Sequence, residues 1–175
     1  MNLEIEHKYL LKALPDKKPK ESIEINQWYR KNSKGIWERA RSCYSDKKGF
    51  YFIHTVKTSV KEGVNMEDEY FMTAEEFNKF VKKCKKSSEA KYISKDRLIY
   101  DHTEDNLKWE VDVFNNGHHL IVAELELPSE DYKVNIPKFI EDKLLMNVTG
   151  MKQFSNRSLS NMVKTHFKMK SSNLF

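Results

Sequence analysis

The sequence predicts a β-rich α+β domain, and three observations carry that prediction. Apolar and polar residues alternate with a period of two through most of the chain. Helical spacing interrupts that alternation at only three places. The 175 residues contain 5 Gly and 4 Pro, with no Ser/Gly/Pro linker and no low-complexity tract. The order is strands, helix, strands, helices, which is α+β rather than alternating βαβ. This length is one domain, expected to span 1–167, with 168–175 a frayed tail.

Strands are expected at 2–11, 23–30, 36–44, 50–58, 65–72, 91–101, 107–114 and 120–127. Leu3 and Ile5 alternate with Glu4 and Glu6 in the first. Ser45-Asp46-Lys47-Lys48-Gly49 reads as the turn from the third strand to the fourth. Asn115-Asn116-Gly117 joins the seventh to the eighth, and its Asn-Gly pair is a hairpin signal. Eight is about the number at which an antiparallel sheet can close into a barrel. The first helix runs from Thr73 to about Lys86: Thr73 and Glu76 form a capping box, and Phe77, Phe80, Val81 and Cys84 share one face. A second, Pro137 to about Met146, offers Phe139, Ile140, Leu144 and Leu145. A third, from about Ser155, offers Leu159, Met162, Val163 and Phe167.

Composition sets several classes aside. A mean hydropathy of −0.75 is polar for a globular protein, yet 12% aromatic residues is too many for a disordered one. The opening MNLEIEHKYLLK is charged from its fourth residue and is not read as a signal peptide, and no apolar run reaches the length of a membrane span. Cys43 and Cys84 lie far apart without metal-ligand spacing. A reduced, cytoplasmic chain with no membrane partner is expected. Lys+Arg 31 against Asp+Glu 26 gives a net charge of +5, which suits any anionic partner.

The arrangement of the charges says more than their sum. In a strand, residues i and i+2 point to the same side. Read at that spacing, the like-sign pairs are Glu4 and Glu6 (followed by Lys8), Arg39 and Arg41, Glu67 and Glu69, Lys95 and Arg97, Glu110 and Asp112, and Glu124 and Glu126. Six of the eight strands carry such a pair, and a seventh contributes Lys57. The opposite faces are mostly apolar: Trp109, Val111 and Val113 back one pair, Ala123, Leu125 and Leu127 another. A sheet with a solvated charged face is one reading. Such faces usually mix signs, because like charges held side by side repel. The other reading closes the sheet, with the charges inside and the apolar faces outside beneath the helices. A dry core of that kind is costly. A wet one would hold a polyanion and hard divalent cations together.

The motifs in order resemble one family. Glu4-Ile-Glu6-His-Lys8 matches ExExK, the N-terminal signature of the CYTH or triphosphate tunnel metalloenzyme superfamily. Trp37-Glu-Arg39-Ala-Arg41 looks like its RxR strand, His54-Thr-Val-Lys57-Thr its TxK strand, Glu67-Asp-Glu69 its ExE and Lys95-Asp-Arg97 its KxR. Trp109-Glu-Val-Asp112-Val-Phe114, Ala123-Glu-Leu-Glu-Leu127, and Val148-Thr149-Gly150 with Ser155-Asn156-Arg157-Ser158-Leu159 follow. The match covers about residues 2–160. The chain departs from the pattern at Lys152-Gln153, where a basic residue often precedes the Ser-Asn pair, at Asn147, and at Asn65-Met66.

The resemblance implies a closed eight-stranded antiparallel barrel forming a tunnel, with about three helices outside, and a hydrolase acting on triphosphates with Mg²⁺ or Mn²⁺. Glu4, Glu6, Asp112, Glu124 and Glu126, with Glu110 beside them, match its metal positions. Lys8, Arg39, Arg41, Lys57, Lys95 and Arg97 match its phosphate positions, and Lys152 is the candidate for one more. Glu4, Glu6, Lys8, Arg39 and Arg41 are the expected catalytic set, and Glu67 and Glu69 a further acidic pair. Inorganic tripolyphosphate, cleaved to pyrophosphate and phosphate, is the preferred substrate. A class IV adenylate cyclase-like enzyme, a thiamine or nucleoside triphosphatase, and a polyphosphate- or nucleotide-binding module remain the alternatives. His118 and His119 are read as surface residues, His7 as outward-facing, and Trp28-Tyr29 as packing rather than base-stacking. Lys17-Lys18-Pro19-Lys20 and the Lys82-Lys83 and Lys85-Lys86 pairs are read as solvated faces, nucleic-acid binding being the alternative.

Overall fold

The structure, a computed structural model, describes residues 2–102, 106–115 and 119–162. Its strands are β1 (Asn2–Leu11), β2 (Glu21–Lys31), β3 (Trp37–Ser45), β4 (Gly49–Lys61), β5 (Val64–Met72), β6 (Lys91–Asp101), β7 (Lys108–Phe114), β8 (Ile121–Glu126), β9 (Leu144–Asn147) and β10 (Asn161–Met162). The helices are α1 (Ala74–Lys86), α2 (Lys138–Glu141) and α3 (Asn156–Leu159), with a 3₁₀ turn at Lys152–Phe154. Eight antiparallel strands follow one another in the order β6-β2-β3-β4-β5-β1-β8-β7, and β7 pairs β6 to close the barrel. The strands lie where period-2 alternation places them, to within three residues at each end.

Closure is incomplete at one seam. β5 pairs β1 only over Asn2–Ile5, and β9 takes the same edge of β1 at Tyr9–Leu11. Between them the Glu6 N–H donates to the Gly63 carbonyl at 2.9 Å, and the Lys8 N–H donates to Thr149 Oγ1 at 2.9 Å. Val148 N–H donates back to the Lys8 carbonyl at 2.8 Å. Val148-Thr149 thus satisfies backbone groups that β5 leaves unpaired. Gly63 holds φ +68°, and a Cβ there would stand 3.0 Å from Thr149 Cγ2 and 3.1 Å from the Glu6 carbonyl. Only glycine meets both conditions without strain.

Two outer clusters cover the barrel. Trp28, Ala40 and Tyr92 pack beneath Phe77, Phe80 and Cys84 of α1. That helix opens on the expected capping box, with Glu76 N–H donating to Thr73 Oγ1 and Thr73 N–H to Glu76. Trp109, Val111, Ala123 and Leu125 pack beneath Ile140 of α2. No helix among the described residues is long and apolar enough to cross a membrane.

The second and third helices are shorter than the sequence suggests. α2 stops at Glu141, and Leu144 to Met146, expected to be helical, lie in β9. The free edge of β1 offers those residues a ladder, so a tertiary contact overrides a helical pattern. α3 ends at Leu159, and Asn161–Met162 pairs with β6. Leu159 does not lie on an outer face. It packs against Tyr29, Ile93, Phe114 and Val122 and closes one end of the barrel. Val163, Phe167, the tail 168–175, the Asn116-Gly117 turn and His118 lie outside the described residues.

Candidate active site: a charged barrel interior

Strand register decides which side chains meet inside. Lys8 sits opposite Glu124, Arg97 opposite Asp112, and Lys57 opposite Glu67. At these positions a strand carrying like charges stands beside partners of the other sign, which offsets the repulsion its own sequence builds in, whereas Glu6 faces Glu126 and Glu110 faces Glu124. β2 is the exception: it turns Ile23, Ile25, Gln27 and Tyr29 inward. Ile23 and Ile25 join Cys43, Ile99 and Tyr51 in an apolar patch on that arc. The interior is therefore charged along seven strands, while β2 contributes an inward charge at its start, Glu21, opposite Ile99 with one carboxylate oxygen buried and unpartnered.

The charges form two groups. In the deeper group, Arg97 donates from Nε to Asp112 Oδ1 at 2.7 Å, and from Nη2 to Asp112 Oδ2 at 2.8 Å and Glu124 Oε2 at 3.0 Å. Arg97 also pairs with Glu110, Lys95 with Asp112, and Lys8 Nζ with Glu124 Oε1 at 2.8 Å. The Lys95 and Asp112 side chains are 1% and 0% exposed. In the second group, Arg39 Nη2 donates to Glu67 Oε1 at 2.8 Å and Arg41 Nη2 to Glu69 Oε2 at 2.5 Å. Thr55 Oγ1 donates to that same Glu69 oxygen at 3.0 Å. Lys57 pairs with Glu4 and lies 3.4 Å from Glu6 Oε1.

Burial and charge set the protonation of these groups in different directions. Burial works against the Glu124 carboxylate, yet Lys8, Lys95 and Arg97 hold its pKa well below the usual range. Burial also opposes the Lys8 ammonium, which Glu124 and Glu6 nonetheless hold above its ordinary value. Lys95 goes the other way: burial, then Arg97, push it down to about 8 against the pull of Asp112 and Glu124. Glu126 is raised, first by partial burial and then by Glu4, Glu110 and Glu67. Four carboxylates thus feel one another at the end of the barrel opposite Leu159.

That end also holds the more exposed charges, Glu69 and Glu110, each with a side chain 36% exposed. Among the described residues, no three acidic, His or Cys side chains already converge at metal-binding geometry. Glu4, Glu110 and Glu67 each turn to a cation instead. The Nε atoms of Arg39 and Arg41 are buried without a hydrogen-bond partner. Buried guanidinium donors of this kind match the oxygens of a phosphate.

Of the residues expected from sequence, Glu4, Glu6, Lys8, Arg39, Arg41, Lys57, Glu67, Glu69, Lys95, Arg97, Glu110, Asp112 and Glu124 join these two groups, and Glu126 stands beside them. Lys152 is exposed on the 3₁₀ turn. Asn156 comes inside in its place, its Oδ1 accepting from Lys95 at 3.5 Å. Neither Asn156 nor Thr55 stands out as a site residue in the sequence. Thr55 did carry a signal, two residues before Lys57 on the same face; Asn156 depends on where α3 docks. Trp28 packs at a tilt against Tyr92 outside the barrel, ring centroids 4.7 Å apart, while Tyr29 is buried inside, its hydroxyl accepting from Gln27 Nε2 at 2.5 Å. His7 faces outward with Nδ1 3.2 Å from the Tyr9 hydroxyl, His119 is exposed, and so are Lys17, Lys18, Lys20, Lys82, Lys83, Lys85 and Lys86. Cys43 and Cys84 are free and buried.

No family model matches the chain, and no curated protein does. Solved structures do. One, described as the hypothetical protein NE1496, is 22% identical, covers 90% of this chain and 96% of its own, and superposes with a TM-score of 0.57. Another, described as the inorganic triphosphatase NE1496, is 22% identical over 91% of this chain and 95% of its own, with a TM-score of 0.56. The PH1819 protein from Pyrococcus horikoshii OT3 is 14% identical over 73% of this chain and 80% of its own, with a TM-score of 0.52. At these identities the likeness is one of fold, and it agrees with the closed barrel that the motif resemblance implies.

Proposed function

We propose that the chain is a metal-dependent hydrolase that removes the terminal phosphate of a triphosphate, with inorganic tripolyphosphate its preferred substrate. One observation carries the reading: cations from β1, β3, β4 and β6 converge inside a closed barrel, and two of them, Arg39 and Arg41, keep a buried donor unpartnered. The shared fold with NE1496, described as an inorganic triphosphatase, supports it. The unpartnered guanidinium donors of Arg39 and Arg41 match phosphate oxygens, which supports an inorganic chain, while the apolar patch of Ile23, Ile25 and Tyr51 is the one interior surface described that a base would suit.

Arg39 and Arg41 would grip non-bridging oxygens in a forked way that lysine cannot. Lys8 and Lys57 act as point charges along the chain. Lys95 and Arg97 would offset the charge that develops on the pyrophosphate leaving group. Asp112 and Glu124 position those cations, since both are engaged with Lys8, Lys95 or Arg97. Glu4, Glu110 and Glu126, with Glu6 beside them, suit Mg²⁺ or Mn²⁺ by their chemistry, being hard oxygen donors whose charges already crowd one another around Glu126. A divalent ion supplies charge compensation and alignment of the phosphates when bound.

Incubation with tripolyphosphate, ATP and thiamine triphosphate, with Mg²⁺ or Mn²⁺ and an EDTA control, tests the reading through its products. Orthophosphate with the matching diphosphate, lost in EDTA, is expected, and fastest from tripolyphosphate. Cyclic AMP with pyrophosphate would move the chain to the cyclase class; binding without product would make it a binding module. Glu6→Gln should keep its fold by circular dichroism and nearly abolish turnover. Wild-type rates in that variant at low metal would remove Glu6 from the site.

A further inference from the structure

Toward the end of the barrel opposite Leu159 the inner wall changes character. Ile23, Ile25, Cys43 and Ile99 form a buried apolar floor, and Tyr51 packs on it. Phe71 continues the inward row of Glu67 and Glu69 on β5, yet it is 77% exposed. Its ring meets Tyr51 edge-on with centroids 6.4 Å apart, while Lys48 Nζ lies 5.8 Å over the Tyr51 ring. Tyr51 is thus held from behind and covered in front, and the aromatic face left open at the mouth is that of Phe71. Across the floor stands Glu21, opposite Ile99, its Oε1 buried without a hydrogen-bond partner. The Tyr51 hydroxyl is pushed up to about 12, by burial first and then by the Cys43 thiol and by Glu21, so Glu21 lies within electrostatic reach of that ring.

Phosphate gains nothing from these groups. An aromatic face offers its oxygens no donor, and a carboxylate repels them. An ionised carboxylate only accepts hydrogen bonds, so what satisfies Glu21 is a donor. What suits Phe71 is a flat ring, because every heterocycle has a face to stack. We propose that this mouth binds the organic head of a triphosphate, a flat heterocycle that stacks on Phe71 and donates from an exocyclic amino group to Glu21. The proposal rests on the phosphate track of the reading above and widens its substrates. Tripolyphosphate fills the track alone; an organic triphosphate fills the track and the mouth.

Track and mouth are continuous. Ile53 stands opposite both Arg41 and Phe71, so Phe71 lies two strand spacings from Arg41, roughly 10 Å, a span that a sugar-sized linker covers. The platform is ordered before anything binds, because the buried floor fixes Tyr51 and Tyr51 abuts Phe71. Little side-chain freedom is then lost on binding. Glu21 supplies selectivity as well as affinity: a head with an oxo group in place of the amine sets a second acceptor against the carboxylate and leaves Oε1 unsatisfied.

Titration calorimetry in EDTA tests this with two pairs of nucleotides. ATP is compared with inosine triphosphate, which carries an oxo group where adenine has its amine, and CTP with UTP, which differ in the same way. The wild-type chain should bind the amine-bearing member of each pair about tenfold tighter. Glu21→Leu should erase that difference, and Phe71→Ala should weaken all four nucleotides by about tenfold. Tripolyphosphate has no head, and its affinity should stay near the wild-type value in both variants, a split that a merely structural role would not produce. No preference in the wild-type chain, no nucleotide binding, or a parallel loss of tripolyphosphate binding would overturn the proposal. Phe71 is exposed, so the wild-type comparison and Phe71→Ala decide the matter should Glu21→Leu not fold. Hydrolysis of tripolyphosphate without discrimination among nucleotides would keep the proposed activity and remove the mouth site. Discrimination by a chain that releases no phosphate from any triphosphate would do the reverse.

Discussion

The two halves of the charged interior use the same residue types for different ends. On the β6–β7–β8 side, Arg97 and Lys95 share Asp112, and Glu124 joins Arg97 to Lys8, all in nearly complete burial. On the β3–β4–β5 side, Arg39 reaches Glu67 and Glu69, Arg41 shares Glu69, and Lys57 is shared by Glu4 and Glu6, with side chains from 12% to 36% exposed. Water is the difference. A sealed network loses an entire desolvation penalty when one member goes, because the others stay charged and unpaired. A partly hydrated pair can change partners. The Lys95–Asp112 contact is sealed, whereas Glu69 on the other side reaches solvent.

The largest test of this contrast is Asp112→Ala. It strands Lys95 and Arg97 and should cost about 3–5 kcal/mol, read as a drop in the denaturant midpoint. Arg41→Ala leaves without its main partner only Glu69, whose side chain is 36% exposed, so it should cost less than Asp112→Ala while raising KM for tripolyphosphate. Equal losses of stability in the two variants would erase the distinction between the halves.

A pH titration sharpens the same comparison. Lys95 is pushed down to about 8 from an ordinary value of 10.5. Between those values the unfolded chain binds the proton that the folded chain has released, so this group adds stability as pH rises. Lys8 and Lys57, both raised, act above 10.5 and with the opposite sign. The difference in stability between wild type and Lys95→Met should therefore move in favour of wild type from pH 8 to about 10; a flat difference would mean that Lys95 is not depressed. The smallest expected effect is that of Lys152→Ala. Because Lys152 is exposed on the 3₁₀ turn, neither melting temperature nor KM should move by more than the error of measurement, and a rise in KM would bring Lys152 into the phosphate set.

Much of the molecule was legible from local pattern. Side-chain direction in a strand has a period of two whatever surrounds it, so Glu4, Glu6 and Lys8, or Arg39 and Arg41, share a face before any fold is known. The same periodicity located all eight barrel strands, and Thr73 with Glu76 located the start of α1. Patterns that depend on a distant partner read less well. Leu144 to Met146 look helical by spacing, yet belong to a strand that pairs with a stretch of β1 that β5 leaves open. Leu159 has the spacing of a helix face on the barrel wall, yet it seals the barrel's end.

Alternation along each strand settles which residues share a face and which like charges stand side by side. Which opposite charges answer them depends on how the strands pair. Register across strands, not spacing within one, set Lys8 opposite Glu124 and let Arg39 and Arg41 reach Glu67 and Glu69 over Thr55. Alternation is a property of each residue's own backbone, whereas charge pairing depends on contacts between segments far apart in the chain, and those exist only once the barrel has closed.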